Sequence, residues 1–198
     1  MQSSRFIVLF SLILLFAVVT NVILDQDSAS DPIQIFAKND PDLYMLNVNI
    51  TRFTATGARQ HKIKAEKFTH FPLTDTTTLK TPYMTLFATQ DDTEPWDIAA
   101  KHGRLLPKVQ VRDEIVELWE KVLAIQEDTN GNFLSIQTDS LTVYPEKDFA
   151  ETDQKVYIDD NTGRTVAAGM KAYLEEGRFI FYSSHSQRVK TILLPTFD

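Results

Sequence analysis

Histidine and carboxylate side chains are the groups of this chain that could transfer a proton or hold a metal ion. The histidines are His61, His70, His102 and His185, and no pair of them has the H-x-x-x-H spacing that places two ligands on one helix face. No acidic residue recurs beside them, so we expect each to be a surface or edge residue. The histidines therefore predict neither a metal centre nor a general base.

Two acidic clusters, Asp91-Asp92-x-Glu94 and Asp159-Asp160, could supply oxygen ligands to a calcium ion. Both fall among turn-forming residues, where aspartate is favoured because its carboxylate accepts hydrogen bonds from nearby backbone N–H groups. We interpret both clusters as turns, and calcium binding is the alternative.

Sequence motifs for other chemistry are also missing. The chain has no cysteine, no Walker-type glycine loop and no G-x-S-x-G elbow. It therefore offers no thiolate, no phosphate cradle and no activated serine. We predict that the protein is not an enzyme and that it needs no cofactor.

The charge balance restricts the choice of partners. The chain has 20 Lys and Arg residues against 27 Asp and Glu residues, a net charge of −7. A nucleic-acid surface needs a concentrated basic face, so we expect no nucleic-acid partner. Partners are instead expected to be recognised by shape, by backbone edges or by apolar contact.

An uncharged apolar run extends from Phe6 to Leu24. As a helix it would be about 28 Å long, close to the roughly 30 Å hydrocarbon core of a bilayer. Arg5 precedes the run and Asp25 follows it, which favours a cytoplasmic N-terminus and an exported remainder. We predict an uncleaved transmembrane anchor over residues 1–24; a cleaved signal peptide is the alternative and would send the remainder to the same compartment.

After a polar linker over residues 25–40, apolar and polar residues alternate with period two over residues 41–198. This alternation is typical of strands with one buried face, and clusters of Gly, Pro, Asn and Asp separate the runs. We therefore predict an all-β domain. Its clearest strand segments are Tyr44–Ile50, Ile63–Ala65, Val109–Val111, Val122–Ile125, Leu134–Thr138, Lys155–Ile158 and Arg178–Tyr182.

Four segments repeat a short template of an apolar residue, any residue, and then Ala or Thr. They are Ile63-Lys64-Ala65, Ile98-Ala99-Ala100, Ile136-Gln137-Thr138 and Val166-Ala167-Ala168. Repeats at this spacing indicate stacked units that bury their apolar faces against neighbours. We expect the interior to be lined by the first and third residues of each segment, with Val48, Ile50 and Phe87 nearer the opening.

The small third residue of the template has two explanations. Four small residues in a row could leave a continuous slot through the interior. Alternatively, small and large residues alternate because the interior tapers.

The C-terminal run from Val189 to Leu194 contains a single charge, Lys190, and no proline. Natural edge strands are usually protected by charges or proline, so an unprotected edge favours pairing with another chain. We expect Val189, Thr191, Ile192 and Leu193 to bind a partner; coverage of this strand by the domain's own loops is the alternative.

The single N-terminal anchor is followed by Asn39-Asp40-Pro41, by the repeated Ile-x-Ala and Ile-x-Thr-Asp strands, and by Gly169-Met170-Lys171-Ala172. Together these features resemble the LptC family of lipopolysaccharide export proteins. The resemblance extends over essentially the whole chain and depends on the combination rather than on one motif.

The resemblance implies a twisted, partly open, OstA-like β-jellyroll in the periplasm, tethered to the inner membrane by one helix. It implies that the domain accepts lipopolysaccharide extracted by an ABC transporter, with membrane subunits LptF and LptG and ATPase LptB, at its N-terminal edge. It further implies transfer to the soluble bridge protein LptA at the C-terminal edge. The acyl chains would occupy the interior, where burial is worth roughly 0.8 kcal/mol per CH₂ group. The lipid-binding residues would be the interior positions: Val48, Ile50, Ile63, Ala65, Phe87, Ile98, Ala100, Ile136, Thr138, Val166 and Ala168.

Two other function classes are open at this point. A membrane-anchored periplasmic adaptor would join two proteins through a closed interior, without lipid passage. A carbohydrate-binding β-jellyroll would need exposed aromatic platforms, whereas Trp96 and Trp119 lie in apolar strands and are expected in the core.

Overall fold

The computed structural model describes residues 40–88 and 93–195. The expected anchor, the linker up to residue 39 and the Asp91-Asp92 pair lie outside these residues. Within the two described ranges, no helix is both long enough and apolar enough to span a bilayer.

The described chain forms fourteen strands of one antiparallel sheet, and its helical content is a 3-10 turn over Pro145–Lys147. The all-β prediction is therefore confirmed. Hairpin-type connections between successive apolar runs give antiparallel neighbours, and every strand pair in the described ranges is antiparallel. The strands are β1 (Leu43–Phe53), β2 (Arg59–Phe71), β3 (Thr76–Lys80), β4 (Tyr83–Leu86), β5 (Trp96–Ala99), β6 (His102–Leu106), β7 (Ile115–Glu127), β8 (Phe133–Tyr144), β9 (Phe149–Thr152), β10 (Val156–Asp160), β11 (Gly163–Ala167), β12 (Gly169–Tyr173), β13 (Arg178–Tyr182) and β14 (Lys190–Leu193).

The sheet is folded into two layers because its long strands each pair with different short strands along their length. The first half of β2 pairs with β4 and its second half pairs with β3. In the same way, β7 pairs with β6 and then β5, and β8 pairs with β10 and then β9. Layer 1 therefore contains β4, β5, β10, β11 and β14, and layer 2 contains β3, β6, β9, β12 and β13. The strands β1, β2, β7 and β8 run through both.

The line along which these strands pass from one layer to the other is here called the crease. Backbone bends mark it: Asn47, Thr81, Glu120 and Lys121 have φ angles of 50°, 51°, 65° and 60°. Glu120 and Lys121 lie opposite the single residue Asp139 of β8, so they form a bulge in β7 between Trp119 and Val122. The Thr81 N–H bonds to the Lys101 carbonyl, and the Lys101 N–H bonds to the Glu120 carbonyl. These bonds hold the short strands in line where the sheet turns.

The hydrophobic core lies between the two layers. Side chains with the inward phase of each strand are buried, including Ile63, Met84 and Ile98 in layer 1 and Phe68 and Leu118 in layer 2. Gly103 lies in the layer 2 part of this core, where a Cβ atom would meet Leu118 Cδ2 at 2.9 Å and the Glu117 carbonyl oxygen at 3.1 Å. Only glycine fits there without displacing its neighbours.

Two local predictions from the sequence are wrong. Residues Val109 to Val111 are not a strand but a tight turn, closed by mutual backbone hydrogen bonds between Val109 and Arg112, and Val111 is 96% exposed. Trp119 is not in the core: it is 38% exposed and stacks on His102, because it alternates with the inward residues Val116 and Leu118 and so faces outward. Trp96 is buried as expected.

Candidate functional site

A row of apolar side chains crosses layer 1 perpendicular to its strands. Each member is the pairing partner of the next, so the row advances one strand at a time. All but the first are buried on the inward face, and the first, on edge strand β1, is partly exposed. We call this the central row: Ile50, Ile63, Met84, Ile98, Ala124, Ile136 and Ile158.

A second row lies beside the first, on its crease side, and consists of smaller residues. The predicted positions Ala65, Ala100 and Thr138 belong to it and are 7–8% exposed. Because the two layers converge toward the crease, large side chains fit in the central row and small ones fit here. The repeated template therefore reflects a taper in a filled interior. The crease row is Val48, Ala65, Pro82, Ala100, Val122, Thr138, Val156 and Ala167.

The prediction that Val166 and Ala168 of the fourth repeat face the interior is wrong. Val166 pairs with Tyr157, which is 38% exposed on the outward face, so Val166 faces outward too. Ala168 is only partly buried, and its N–H bonds to the Tyr182 carbonyl. The inward residues of β11 are Thr165, opposite Ile158, and the fully buried Ala167, opposite Val156. The template matched this segment one residue too late because Val-Ala-Ala is apolar in either phase.

Phe87 and the edge strand lie at the periphery of the interior. The Phe87 ring is just beyond β4, with the Arg59 guanidinium 4.3 Å from its centroid. Val48 and Ile50 are only partly buried because β1 is the last strand on its side of the sheet. These three residues therefore lie at the periphery of the interior, while their place near a lipid entry and their binding of lipid stay predictions.

The margin opposite the crease, where the strand ends of the two layers meet, is here called the mouth. Leu86 and Trp96 of layer 1 approach Leu174 of layer 2 there, leaving a cavity of only about 10 Å³. The Trp96 and Phe179 rings meet edge to face with centroids 6.4 Å apart. In this conformation, the mouth is closed around these residues.

A buried ionisable pair also joins the layers at the mouth. His61 of layer 1 and Glu114 of layer 2 are 2% and 3% exposed, and His61 Nε2 lies 3.2 Å from Glu114 Oε1. The expectation that every histidine is a surface or edge residue is therefore wrong for His61, and the histidines do have acidic neighbours in space: His102 lies 3.5 Å from Glu120 and His70 lies 4.0 Å from Asp42. The partner of His61 is remote in sequence, but the burial of His61 could have been predicted because it shares the phase of Ile63 and Ala65.

Burial shifts the pKa values of both groups toward their neutral forms. Burial and then the nearby Arg52 charge lower the pKa of His61 to about 4, so the imidazole is neutral at pH 7. Burial raises the pKa of Glu114, and the Arg52 charge partly opposes that rise. Arg52 Nε lies 3.9 Å from Glu114 Oε2 on a half-exposed side chain. The Glu114 side chain is thus buried in the mouth with one half-exposed cation near it.

We expect His61 to make the domain acid-sensitive. In the unfolded chain the His61 imidazole takes up a proton near pH 6.5, whereas in the folded chain it does so only near pH 4. The free energy of unfolding therefore falls as the pH is lowered from 6.5 to 4. At roughly 1.4 kcal/mol per pH unit below pH 6.5, the free energy of unfolding should be lower by about 2 kcal/mol at pH 5 than at pH 7. Urea unfolding of the full-length chain at both pH values measures it. His61→Gln should lose this part of the pH dependence and the exposed His185→Gln should keep it; equal pH dependence in all three proteins would contradict the assignment.

The Asp159-Asp160 cluster is accounted for by its turn. Asp160 Oδ1 accepts hydrogen bonds from the Thr162 N–H at 2.7 Å, the Thr162 hydroxyl at 2.6 Å and the Gly163 N–H at 2.9 Å. Asp159 pairs with Arg164 at 2.5 Å. These carboxylates order the β10–β11 hairpin, which supports the turn interpretation.

Three strands of the described ranges pair on one side only: β1 with β2, β13 with β12, and β14 with β11. In β14 the Leu194 N–H bonds to the Thr162 carbonyl at 2.8 Å. Because antiparallel strands alternate their hydrogen-bonding direction, the Ile192 N–H also points to β11, whereas the Thr191 and Leu193 N–H groups point away from it. Ile192 and Leu193 are 52% and 74% exposed. The C-terminal edge is available for another strand.

A family model described as "Lipopolysaccharide-assembly, LptC-related" matches residues 10–189. Among solved structures, LptH from Pseudomonas aeruginosa, described as the LptA-homologous periplasmic component of the lipopolysaccharide transport device, superposes with a TM-score of 0.55. That match has 6% sequence identity and covers 68% of this chain and 95% of the LptH chain, so it is a likeness of fold. No curated relative matches the chain.

Proposed function

The chain belongs to the LptC-related family of lipopolysaccharide-assembly proteins, and we propose that its domain carries lipid acyl chains between its two layers. In this proposal the protein is held in the inner membrane by residues 1–24, with its domain in the periplasm. It accepts lipopolysaccharide from the LptB, LptF and LptG transporter at the β1 side. It passes the lipid to LptA at the β14 side.

The central row is the observation that carries this proposal. It runs from the edge strand β1 across layer 1 to β10, close to the edge formed by β11 and β14, without a charged side chain among its members. A path that begins at one sheet edge and leads toward the other suits a lipid that enters and leaves at different partners. Acyl burial there is worth roughly 0.8 kcal/mol per CH₂ group, while the acidic protein leaves the phosphates in water.

The closed mouth means that lipid enters only when the layers separate. The layers are joined covalently through β1, β2, β7 and β8 at the crease, so separation opens the opposite margin. The core side chains would then exchange their mutual contacts for contacts with acyl chains. Both states bury apolar surface, which keeps the free-energy difference between them small.

The closed interior also favours a second function, that of a periplasmic adaptor that joins two partners by its sheet edges. Within residues 40–88 and 93–195, twenty-three hydrophobic residues that are 0–8% exposed form this core. An adaptor needs such a core and no lipid path. The two functions differ in whether lipid ever contacts inward residues.

The methionines provide a near-isosteric test of lipid contact. Of the four in the chain, Met45, Met84 and Met170 face the interior, with Met84 and Met170 fully buried. Photo-methionine at these positions should form adducts with lipopolysaccharide when the complete transporter is supplied with ATP. Mass spectrometry of the adducts should assign them to the three inward positions.

A matched variant moves the probe to the outward face. It replaces Met45, Met84 and Met170 by Leu and carries Gln137→Met, because Gln137 is the exposed neighbour of Ile136. We expect at least a tenfold loss of adducts. Equal adduct yields from the inward and outward probes, or partner adducts without lipid adducts, would favour the adaptor.

A further inference from the structure

The His61–Glu114 pair lies where the two layers must part. His61 is inward-facing on β2 next to Arg52 of β1 and Leu86 of β4. Glu114 is the buried residue directly before β7, in phase with Val116 and Leu118 of layer 2. Their contact is therefore made across the mouth, beside the edge strand β1.

The polar groups of this contact are poorly satisfied. His61 Nδ1 and Glu114 Oε1 have no hydrogen-bond partner among the described residues, although each is buried. Glu114 Oε1 is 3.2 Å from His61 Nε2, but the two atoms do not form an aligned hydrogen bond. A buried polar atom without a partner, and a buried charge with one half-exposed counterion, both favour exposure to water.

Other charges near the pair do not relieve it. Lys108 pairs with Glu146 at 2.6 Å, and Lys147 pairs with Asp113 at 2.8 Å. Arg52 is the cation that reaches the Glu114 carboxylate, at 3.9 Å. Separation of the layers would hydrate both His61 and Glu114. The pair therefore favours opening of a margin that is otherwise lined by apolar side chains.

We propose that Arg52, His61 and Glu114 form a gate in the mouth that sets how often the two layers separate. The role of this gate, which is to admit acyl chains at the β1 side, rests on the proposed function. Its physical content is independent of lipid: the buried carboxylate destabilises the closed state, and Arg52 partly restores it.

The gate predicts opposite effects for two conservative variants. Glu114→Gln keeps the shape of the side chain and removes its charge, so the closed state should become more stable and opening at least tenfold rarer. Arg52→Gln leaves the carboxylate without its cation, so opening should become more frequent. In Arg52→Gln/Glu114→Gln no buried carboxylate remains for a cation to compensate, so loss of Arg52 should have no further effect and the double variant should behave like Glu114→Gln alone.

Spin labels can measure opening directly because the chain contains no cysteine. Ala58→Cys in the β1–β2 turn and Val111→Cys in the β6–β7 turn place one label on each side of the mouth, at exposed positions. In the lipid-free full-length protein, the long-distance fraction should fall in Glu114→Gln and rise in Arg52→Gln. Identical distance distributions in the three proteins would overturn the gate, as would a lower urea midpoint for Glu114→Gln than for the unmodified protein.

Lipid adducts on photo-methionine separate failure of the gate from failure of the proposed function. With the gate and the function both correct, the adduct yield should fall about tenfold in Glu114→Gln. Changed distances with no adducts in any protein would leave the gate standing and contradict lipid passage. Adducts that are unaffected by Glu114→Gln would overturn the gate as the point of lipid admission.

Discussion

Thr191→Pro is expected to abolish docking of the soluble bridge protein while leaving the domain folded. The Thr191 N–H points away from β11 toward the free edge, so proline there removes a donor that an added strand would use. The proline ring also obstructs the approach of that strand. Proline in a helix interior costs about 3 kcal/mol, and a cost of that order at this edge would lower the affinity more than a hundredfold.

A pull-down of purified LptA by the full-length chain measures this effect. Thr191→Ala should bind normally because the backbone donor is retained. Ile192→Pro is a contrasting variant, since the Ile192 N–H belongs to the β11–β14 ladder and its loss should release β14 itself. Normal LptA binding by Thr191→Pro would place the docking surface elsewhere, and continued formation of lipid adducts would show that the variant is folded.

Ala100→Trp is expected to destabilise the domain by about 3 kcal/mol or more. Ala100 is 8% exposed in the crease row, where the layers converge and no space exists for an indole ring. Inserting extra methylene groups into a filled core typically costs about 1–3 kcal/mol. Replacing alanine by tryptophan adds more atoms than that, so the cost should be at least at the upper end of this range. Against a total stability of roughly 5–15 kcal/mol, such a loss should lower the urea midpoint substantially.

Ala99→Trp is the matched control, one residue away on the same strand. Ala99 faces outward between Tyr83 and Leu123, so the ring can lie on the surface, and the change in stability should be about 0.5 kcal/mol or less. Equal stability of the two variants would show that a slot exists beside the crease in solution.

The strands could be predicted because each buries one face, which imposes a period of two on the sequence. Where three alternations with one buried face occur in succession, as in Leu134–Thr138, the pattern located a strand. Tyr44–Ile50 is also in a strand, but its buried face changes at Asn47, because Tyr44 and Leu46 are exposed whereas Val48 and Ile50 face inward. The Val109–Val111 segment had only one alternation, and the short backbone bonds of its turn determined the structure instead.

The phase of strands beyond a bend could not be predicted, because positive φ angles and bulges leave little trace in the sequence. Glu120 and Lys121 are ordinary charged residues, yet both have positive φ angles and form the bulge that bends β7 at the crease. Val166 shows the same limit in a segment that is apolar in both phases. The His61–Glu114 pair required the fold itself, since the two residues are on different layers.

The central row has a consequence for the energetics of movement along it. With strands about 4.8 Å apart, the row from β1 to β10 is roughly 30 Å long and has an uncharged apolar side chain at every rung, in most cases isoleucine. A hydrocarbon chain displaced by one rung would leave surroundings nearly equal to those it enters, so the energy profile has small ripples and no deep well. Such a profile neither holds the hydrocarbon chain at one position nor moves it in one direction. The direction of travel must then be imposed from the ends, by supply at one edge and removal at the other.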